Sequence, residues 1–335
     1  MKKSLSVLLI FGIGILLLTS SCSSAKKSQT QDSEENQSIE NQSTLKPGEI
    51  ENTIVPDTFV LPLIPDEITD SYERAEYVVL NYWNRFDFTN RDFIDRPDIT
   101  EQAFVDYINL LHYVPDNVAD KSLQYTINMA EADTVMYKHF GLMFEKYLYD
   151  PNSPFRNEEY YIPVLQELVN SSLLSDEMKS VYQFQLDMVL MNRVGQKANN
   201  FSYTLDTGQS FKLYDLQSQY TLLMFSNPGC STCEMVTRQL NSSQPITSAL
   251  SMNSPTRTML IILTIYPDNN LDEWQSHLPS MPSNWLHAYD QGMQITNQRL
   301  YDIKAFPTLY LLDENKRVLL KDTSIEEIES FFSIE

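Results

Sequence analysis

The spacing of apolar side chains changes once along this chain, near Gly195, and that change limits what each part can become. Before it, Phe104, Tyr107, Ile108 and Leu111 recur at i, i+3, i+4 and i+7, the spacing of one helix face. Met136, Phe140, Met143, Phe144 and Tyr147 keep that period, and so do Met178, Val181, Tyr182, Leu186 and Val189. Asp150-Pro151-Asn152-Ser153-Pro154 interrupts it, because proline lacks the interior donor and restricts the residue before it. The pattern predicts an all-α region of about five helices over 71–193. Its aromatic stripes read as core rather than as a ligand platform. The region holds no cysteine, and His112 and His139 are far apart in the chain, so it offers no metal-ligand set.

After Gly195 the period is that of strands. Phe201-Ser202-Tyr203-Thr204-Leu205 alternates, and Asp206-Thr207-Gly208-Gln209 supplies a turn before Phe211. Tyr220 to Phe225 and Met259 to Tyr266 are unbroken apolar runs, the signature of strands covered on both faces. A helix over 234–250 between them completes a β-α-β unit. Thr308 to Leu312 and Arg317 to Leu320 form a hairpin across Asp313-Glu314-Asn315-Lys316, and a last helix spans 324–332. The fold class expected is a two-domain α+β chain, an all-α domain over 58–193 followed by an α/β domain over 194–335.

The amino terminus reads as an address. Lys2 and Lys3 precede an apolar stretch over 8–18, then Thr19-Ser20-Ser21-Cys22. The stretch is short for a membrane span, which needs about 20 residues. It resembles a bacterial lipoprotein signal over 1–21, which implies cleavage before Cys22 and lipidation of its sulfur. Thr19 departs from the usual Leu of that motif, with Leu18 one residue earlier. Residues 22–57 are rich in Ser, Gln, Asn and Glu and poor in aromatics, the composition of a disordered tether. Such a tether reaches on the order of 30 Å as a flexible coil. Ser23, Ser24, Ala25 and Lys26 form no early acidic cluster, which among Bacteroidetes-type lipoproteins favours the periplasmic face of the envelope over surface export. The outer membrane is the expected anchor point. A cleaved, secreted protein with an incidental cysteine is the alternative.

Charge excludes other classes. The 45 acidic and 24 basic residues give a formal charge of -21, which repels nucleic-acid phosphates and anionic lipid headgroups. With 8 glycines and no glycine-rich phosphate motif, no nucleotide cofactor is expected.

Three cysteines are too few for a disulfide scaffold, so each needs its own reason. Cys230-Ser231-Thr232-Cys233 follows a buried strand and Ser226-Asn227-Pro228-Gly229, and it opens a helix. Cysteines three positions apart on a first helical turn can close a disulfide. Unpaired N–H groups and the positive end of the helix dipole stabilise the leading thiolate. Cys230 is then the candidate nucleophile and Cys233, one turn deeper, the resolving thiol.

Strand, CxxC, helix, strand, helix, then Ala305-Phe306-Pro307-Thr308 leading into a hairpin resembles thioredoxin. The resemblance implies that Pro307 is the family's cis-proline, in a loop with Phe306 that offers backbone groups to a substrate disulfide. The leading segment 195–216 is similar to the TlpA and ResA branch of periplasmic thiol-disulfide oxidoreductases. Leu148 to Pro154 with Arg156-Asn157-Glu158 resembles Bacteroidetes lipoproteins that carry a helical domain of unknown function before a thioredoxin-like one. The partners implied are client proteins with disulfides, a membrane electron donor, and the membrane itself through Cys22. Gly229 replaces the family's Trp, Ser231-Thr232 replaces Gly-Pro, and Met224 stands where thioredoxin keeps a buried Asp. A proton acceptor for Cys233 must come from elsewhere, with Glu234 and Asp290 as candidates.

Two other readings compete. A metal site would have to recruit His277 and His287 to the CxxC, since zinc takes three or four protein ligands. Both histidines, like the neighbouring Trp274 and Trp285, read more simply as packing residues. Alternatively the protein is non-catalytic, its helical domain binding a partner and its CxxC a structural disulfide.

Overall fold

The computed structural model describes residues 58–334; the expected signal segment, Cys22 and the tether lie outside them. Six helices build the first region: α1 Ser71–Asn81, α2 Thr100–Leu110, α3 Asp116–Met129, α4 Thr134–Phe144, α5 Glu158–Asn170 and α6 Asp176–Val189. Side-chain caps start four of them, because the first N–H groups of a helix have no internal acceptor. Asp70, Asp133, Asn157 and Ser175 accept from the first-turn amides of α1, α4, α5 and α6. Helix α4 widens into a π-helical turn, Glu145–Tyr149, before the break at Asp150 and Pro151.

The expected stripes form one core. Phe104, Tyr107, Ile108, Leu111, Met136, Phe140, Met143 and Phe144 are all buried in it. Trp83 stands at its centre, with the ring centroids of Tyr82, Phe86 and Phe140 between 5.1 and 5.3 Å away. One stripe holds with an exception. Tyr182, Leu186 and Val189 of α6 are buried as expected, but Val181 is 54% exposed and Gln185 is buried. Gln185 accepts from the Tyr161 hydroxyl at 2.9 Å and donates to Glu145 at 2.7 Å. A hydrogen-bonded polar residue occupies a core position that an apolar count assigns elsewhere.

The second region is a seven-stranded sheet in the order β2-β1-β5-β4-β3-β6-β7. Its strands are β1 Ser202–Leu205, β2 Ser210–Lys212, β3 Tyr220–Phe225, β4 Leu260–Tyr266, β5 Leu286–Tyr289, β6 Thr308–Leu312 and β7 Val318–Lys321. Strands β3, β4 and β5 are parallel, and β1, β6 and their hairpin partners run antiparallel to their neighbours. All six residues of β3 are buried, as its unbroken apolar run requires. Leu223 and Phe225 face one core, while Leu222 and Met224 face another.

The single helix expected over 234–250 is two, α7 Ser231–Ser242 and α8 Gln244–Ser251. Ser243 between them is extended, and Pro245 at the start of α8 cannot donate back into a continuous helix. Helices α9 Leu271–His277, α10 Gln294–Asn297 and α11 Ile325–Ile334 complete the domain. Among the described residues no helix is long and apolar enough to cross a membrane.

The two regions meet through charge. Glu158 at the start of α5 lies against Lys304 and against Lys321 of β7, and Arg156 lies 3.4 Å from Asp322. The Lys321 ammonium also donates to the carbonyls of Val189 and Met191 at 2.9 and 2.7 Å, tying β7 to the end of α6.

Candidate active site

Strand β3 delivers the chain to the site. Ser226 still bonds to Ile265 of β4, and Gly229 then turns with φ 74°, a conformation that favours glycine. That backbone accounts locally for glycine where thioredoxin has Trp. Cys230 caps α7: its sulfur accepts the Cys233 N–H at 3.1 Å. Cys230 and Cys233 are joined as a disulfide, their Cα atoms 5.2 Å apart. Cys230 is partly exposed, whereas Cys233 is 4% exposed and packs in the core with Met224, Val236 and Trp285.

Strand β6 brings the second half. Phe225 pairs with Thr308, so the chain leaving β3 runs beside the chain entering β6. The Phe306–Pro307 peptide is cis, and the Phe306 carbonyl oxygen lies 3.6 Å from Cys230 Sγ. The Thr308 hydroxyl donates to Ala305 at 2.7 Å and the Phe306 ring packs on both cores, bracing the loop. The structure thus brings together Cys230, Cys233, Phe306 and Pro307. It places a sulfur at a helix N-terminus where amide and dipole favour its anionic form, with a backbone acceptor alongside.

The two acids considered as proton acceptors are placed differently from each other. Glu234 is exposed and lies 3.8 Å from Arg238. Asp290 is buried: its Oδ2 accepts the Ile295 N–H at 2.7 Å while its Oδ1 has no partner among the described residues, and Ile295 belongs to the core on the other side of the sheet from Cys233.

The remaining candidates are packing residues. His287 Nε2 lies 2.8 Å from the Pro282 carbonyl and Nδ1 2.8 Å from the Thr264 hydroxyl; burial holds its pKa below the ordinary value. His277 contacts Ser280. Among the described residues no three His, Cys, Asp or Glu side chains gather as a metal-binding group. Trp274 and Trp285 are both buried. Trp274 packs at a tilt on Tyr289, ring centroids 4.9 Å apart, and, with Pro228 and His287, lines a cavity of about 20 Å³. Cys22 lies outside the described residues.

One neighbour of the site carries no signal in the sequence. Lys304 precedes Ala305-Phe306-Pro307 and donates to Glu158, 146 positions away, a separation that no local spacing could connect.

Comparisons with known proteins agree with this architecture. A model described as a domain of unknown function (DUF5106) matches residues 21–192, and one described as thioredoxin-like matches residues 218–318. No curated protein sequence matches the chain. The crystal structure of a thioredoxin-like protein from Bacteroides caccae is 40% identical, with a TM-score of 0.80 over 84% of this chain and 99% of that one. The C-terminal domain of an uncharacterized Bacteroides fragilis protein is 43% identical over 42% of this chain and 98% of its own, with a TM-score of 0.40. With two-fifths identity along nearly the whole of the Bacteroides caccae protein, this chain belongs to the thioredoxin-like family, carrying the Cys-x-x-Cys pair of its thiol-disulfide oxidoreductases behind a DUF5106 helical domain.

Proposed function

We propose that the protein reduces disulfides of client proteins on the periplasmic face of the cell envelope, where a lipid on Cys22 holds it. The thiolate of Cys230 attacks one sulfur of the client disulfide. A Cys230–client bond forms, the client bond breaks, and the departing thiolate takes a proton. Cys233 then attacks Cys230 Sγ, which releases the client as a dithiol and leaves the Cys230–Cys233 disulfide. A dithiol donor in the membrane returns two electrons and two protons to the pair. Phe306 and Pro307 form the edge against which the client backbone docks.

The observation that carries this reading is the asymmetry of the pair. Cys230 is partly exposed at the N-terminus of α7, its sulfur bonded to the Cys233 N–H and beside the Phe306 carbonyl, while Cys233 is 4% exposed. A structural staple needs neither an exposed leading sulfur nor a docking loop beside it. The signal-like residues 1–21 support the anchor and the compartment, and the resemblance to the TlpA and ResA branch supports reduction over oxidation.

The test is the midpoint of the pair. The full chain is equilibrated in thiol buffers of graded potential, and alkylation of Cys230 and Cys233 is read by mass. A value near about -270 mV fits a reductase, and one near about -120 mV reverses the direction to oxidation. A pair that stays closed below about -300 mV is the structural disulfide of a partner-binding protein, and the proposal fails.

A further inference from the structure

The joint between the two regions reaches the loop beside Cys230. Residues 302–307 lead into β6, and among the described residues they take part in no backbone–backbone hydrogen bond of a turn or loop. Side chains hold this segment instead. The Tyr149 hydroxyl, at the end of the π-helical turn, donates to Asp302 at 3.2 Å. The Lys304 ammonium donates to Glu158, lies 3.4 Å from Asp302 and 3.8 Å from Asp322, and sits 4.1 Å from the centre of the Tyr149 ring. Glu158 has a second cation, Lys321, at 2.6 Å.

These charges are withdrawn from water: the side chains of Glu158, Lys304 and Lys321 are 9%, 9% and 7% exposed. An ion so buried is costly unless paired, so Lys304 has little freedom to leave its partners. Burial alone would raise the Glu158 carboxyl, but Lys321 and Lys304 outweigh it and hold its pKa below the usual range. The carboxylate is therefore charged at neutral pH, as its bridging position requires. Lys304 lies two residues before Phe306, whose carbonyl is the neighbour of Cys230 Sγ, and three before Pro307.

We propose that Glu158, supplied by the helical domain, is a positioning residue for disulfide exchange: it fixes Lys304, and through it the Phe306–Pro307 loop, against Cys230. The inference rests on the exchange reading above and gives the helical domain a part in it. The domain then acts on the site from behind, through a buried ion pair, and need not touch the client. Displacing a reacting group by about 1 Å can cost on the order of a hundredfold in rate, so modest slack in this loop is enough to be measured.

The test uses the reduced full chain and two rates. One is reduction of the interchain disulfides of insulin, which requires docking at the loop. The other is alkylation of Cys230 by iodoacetamide, which does not. Glu158→Gln is expected to slow insulin reduction about tenfold or more while alkylation changes less than about twofold. Lys304→Met should do the same, and the double variant should be no slower than either single one, because both break one contact. A wild-type insulin rate in Glu158→Gln overturns the proposal, and so does a parallel fall in both rates. If Glu158→Gln does not fold, Glu158→Asp keeps the charge and draws the carboxylate back by one methylene from Lys304. It should slow insulin reduction about twofold or more with alkylation unchanged, and an unaltered ratio of the two rates overturns the proposal. Failure of the wild type to reduce any disulfide would sink the exchange reading and this one together, whereas an active wild type with an indifferent Glu158→Gln sinks positioning alone.

Discussion

Lys321→Met removes one cation from the joint and leaves a chain of similar length in its place. The Lys321 side chain is 7% exposed and its ammonium serves three acceptors, the Glu158 carboxylate at 2.6 Å and the carbonyls of Val189 and Met191. Breaking a buried pair from one side costs about 3–5 kcal/mol, because the remaining charge keeps its desolvation penalty without its partner. Two features set the value near the lower end. Lys304 still pairs with Glu158, and a cavity of about 480 Å³ lined among others by Glu158 and Lys321 lets water in to the Glu158 carboxylate once the Lys321 ammonium is gone. We expect a loss of about 3 kcal/mol, which at about 2.1 cal/mol/K of unfolding entropy per residue lowers Tm by about 4–5 °C in a chain this size. Thermal unfolding followed by circular dichroism, with a urea titration for the free energy, measures it. The double variant Glu158→Gln with Lys321→Met should lose less than the sum of the two singles, since it removes both charges of one pair. A Tm drop under about 2 °C for Lys321→Met, or strict additivity in the double variant, would refute the view that the joint is held by buried charge.

Two further predictions concern the surroundings of the pair. Gly229→Ala should cost about 1–2 kcal/mol, because an L-residue pays for the φ of 74° and the nearest atom to the new Cβ, Glu273 Oε1 at 3.6 Å, makes no clash; unchanged stability in urea would contradict this. His287 should titrate below its ordinary value of about 6.5, since burial disfavours the cation and outweighs the Pro282 carbonyl beside Nε2, which favours it. The folded state then binds fewer protons than the unfolded one in that window, so the stability it lends is present above pH about 6.5 and is lost as pH falls below it. Proton NMR of the His287 ring gives the midpoint directly, and one above about 6.5 would contradict the assignment.

The outline of both regions was readable because their apolar residues repeat with two distinct periods. The unbroken apolar run of β3 could only be a strand buried on both faces, and all of its residues are buried. CxxC was informative for its place at a strand-to-helix junction, and the cap of Cys230 on α7 is the geometry that place implies. What escaped were features with no local signature. Gln185 takes a core position on α6 through side-chain hydrogen bonds, while Val181 of the expected stripe lies outside. Ser243 and Pro245 divided a helix that looked continuous. Strand β5 pairs beside β4, yet Leu286-His287-Ala288-Tyr289 is too mixed and too short to stand out. The ionic joint joins residues more than a hundred positions apart, and only the folded chain brings Glu158 to Lys304. Arg156-Asn157-Glu158, read in the sequence as part of a family resemblance, proves to be where the helical region grips the α/β region.

The central claim is that Cys230 attacks and Cys233 resolves. Cys233→Ser and Cys230→Ser, each in the full chain with Cys22→Ala to remove the third thiol, are reduced, mixed with insulin and read by intact mass without added thiol. The account predicts a covalent adduct at Cys230 in the first variant, since nothing remains to release it. It predicts none in the second, where the remaining thiol is 4% exposed. An adduct in Cys230→Ser, or none in either variant while both are folded, would contradict it.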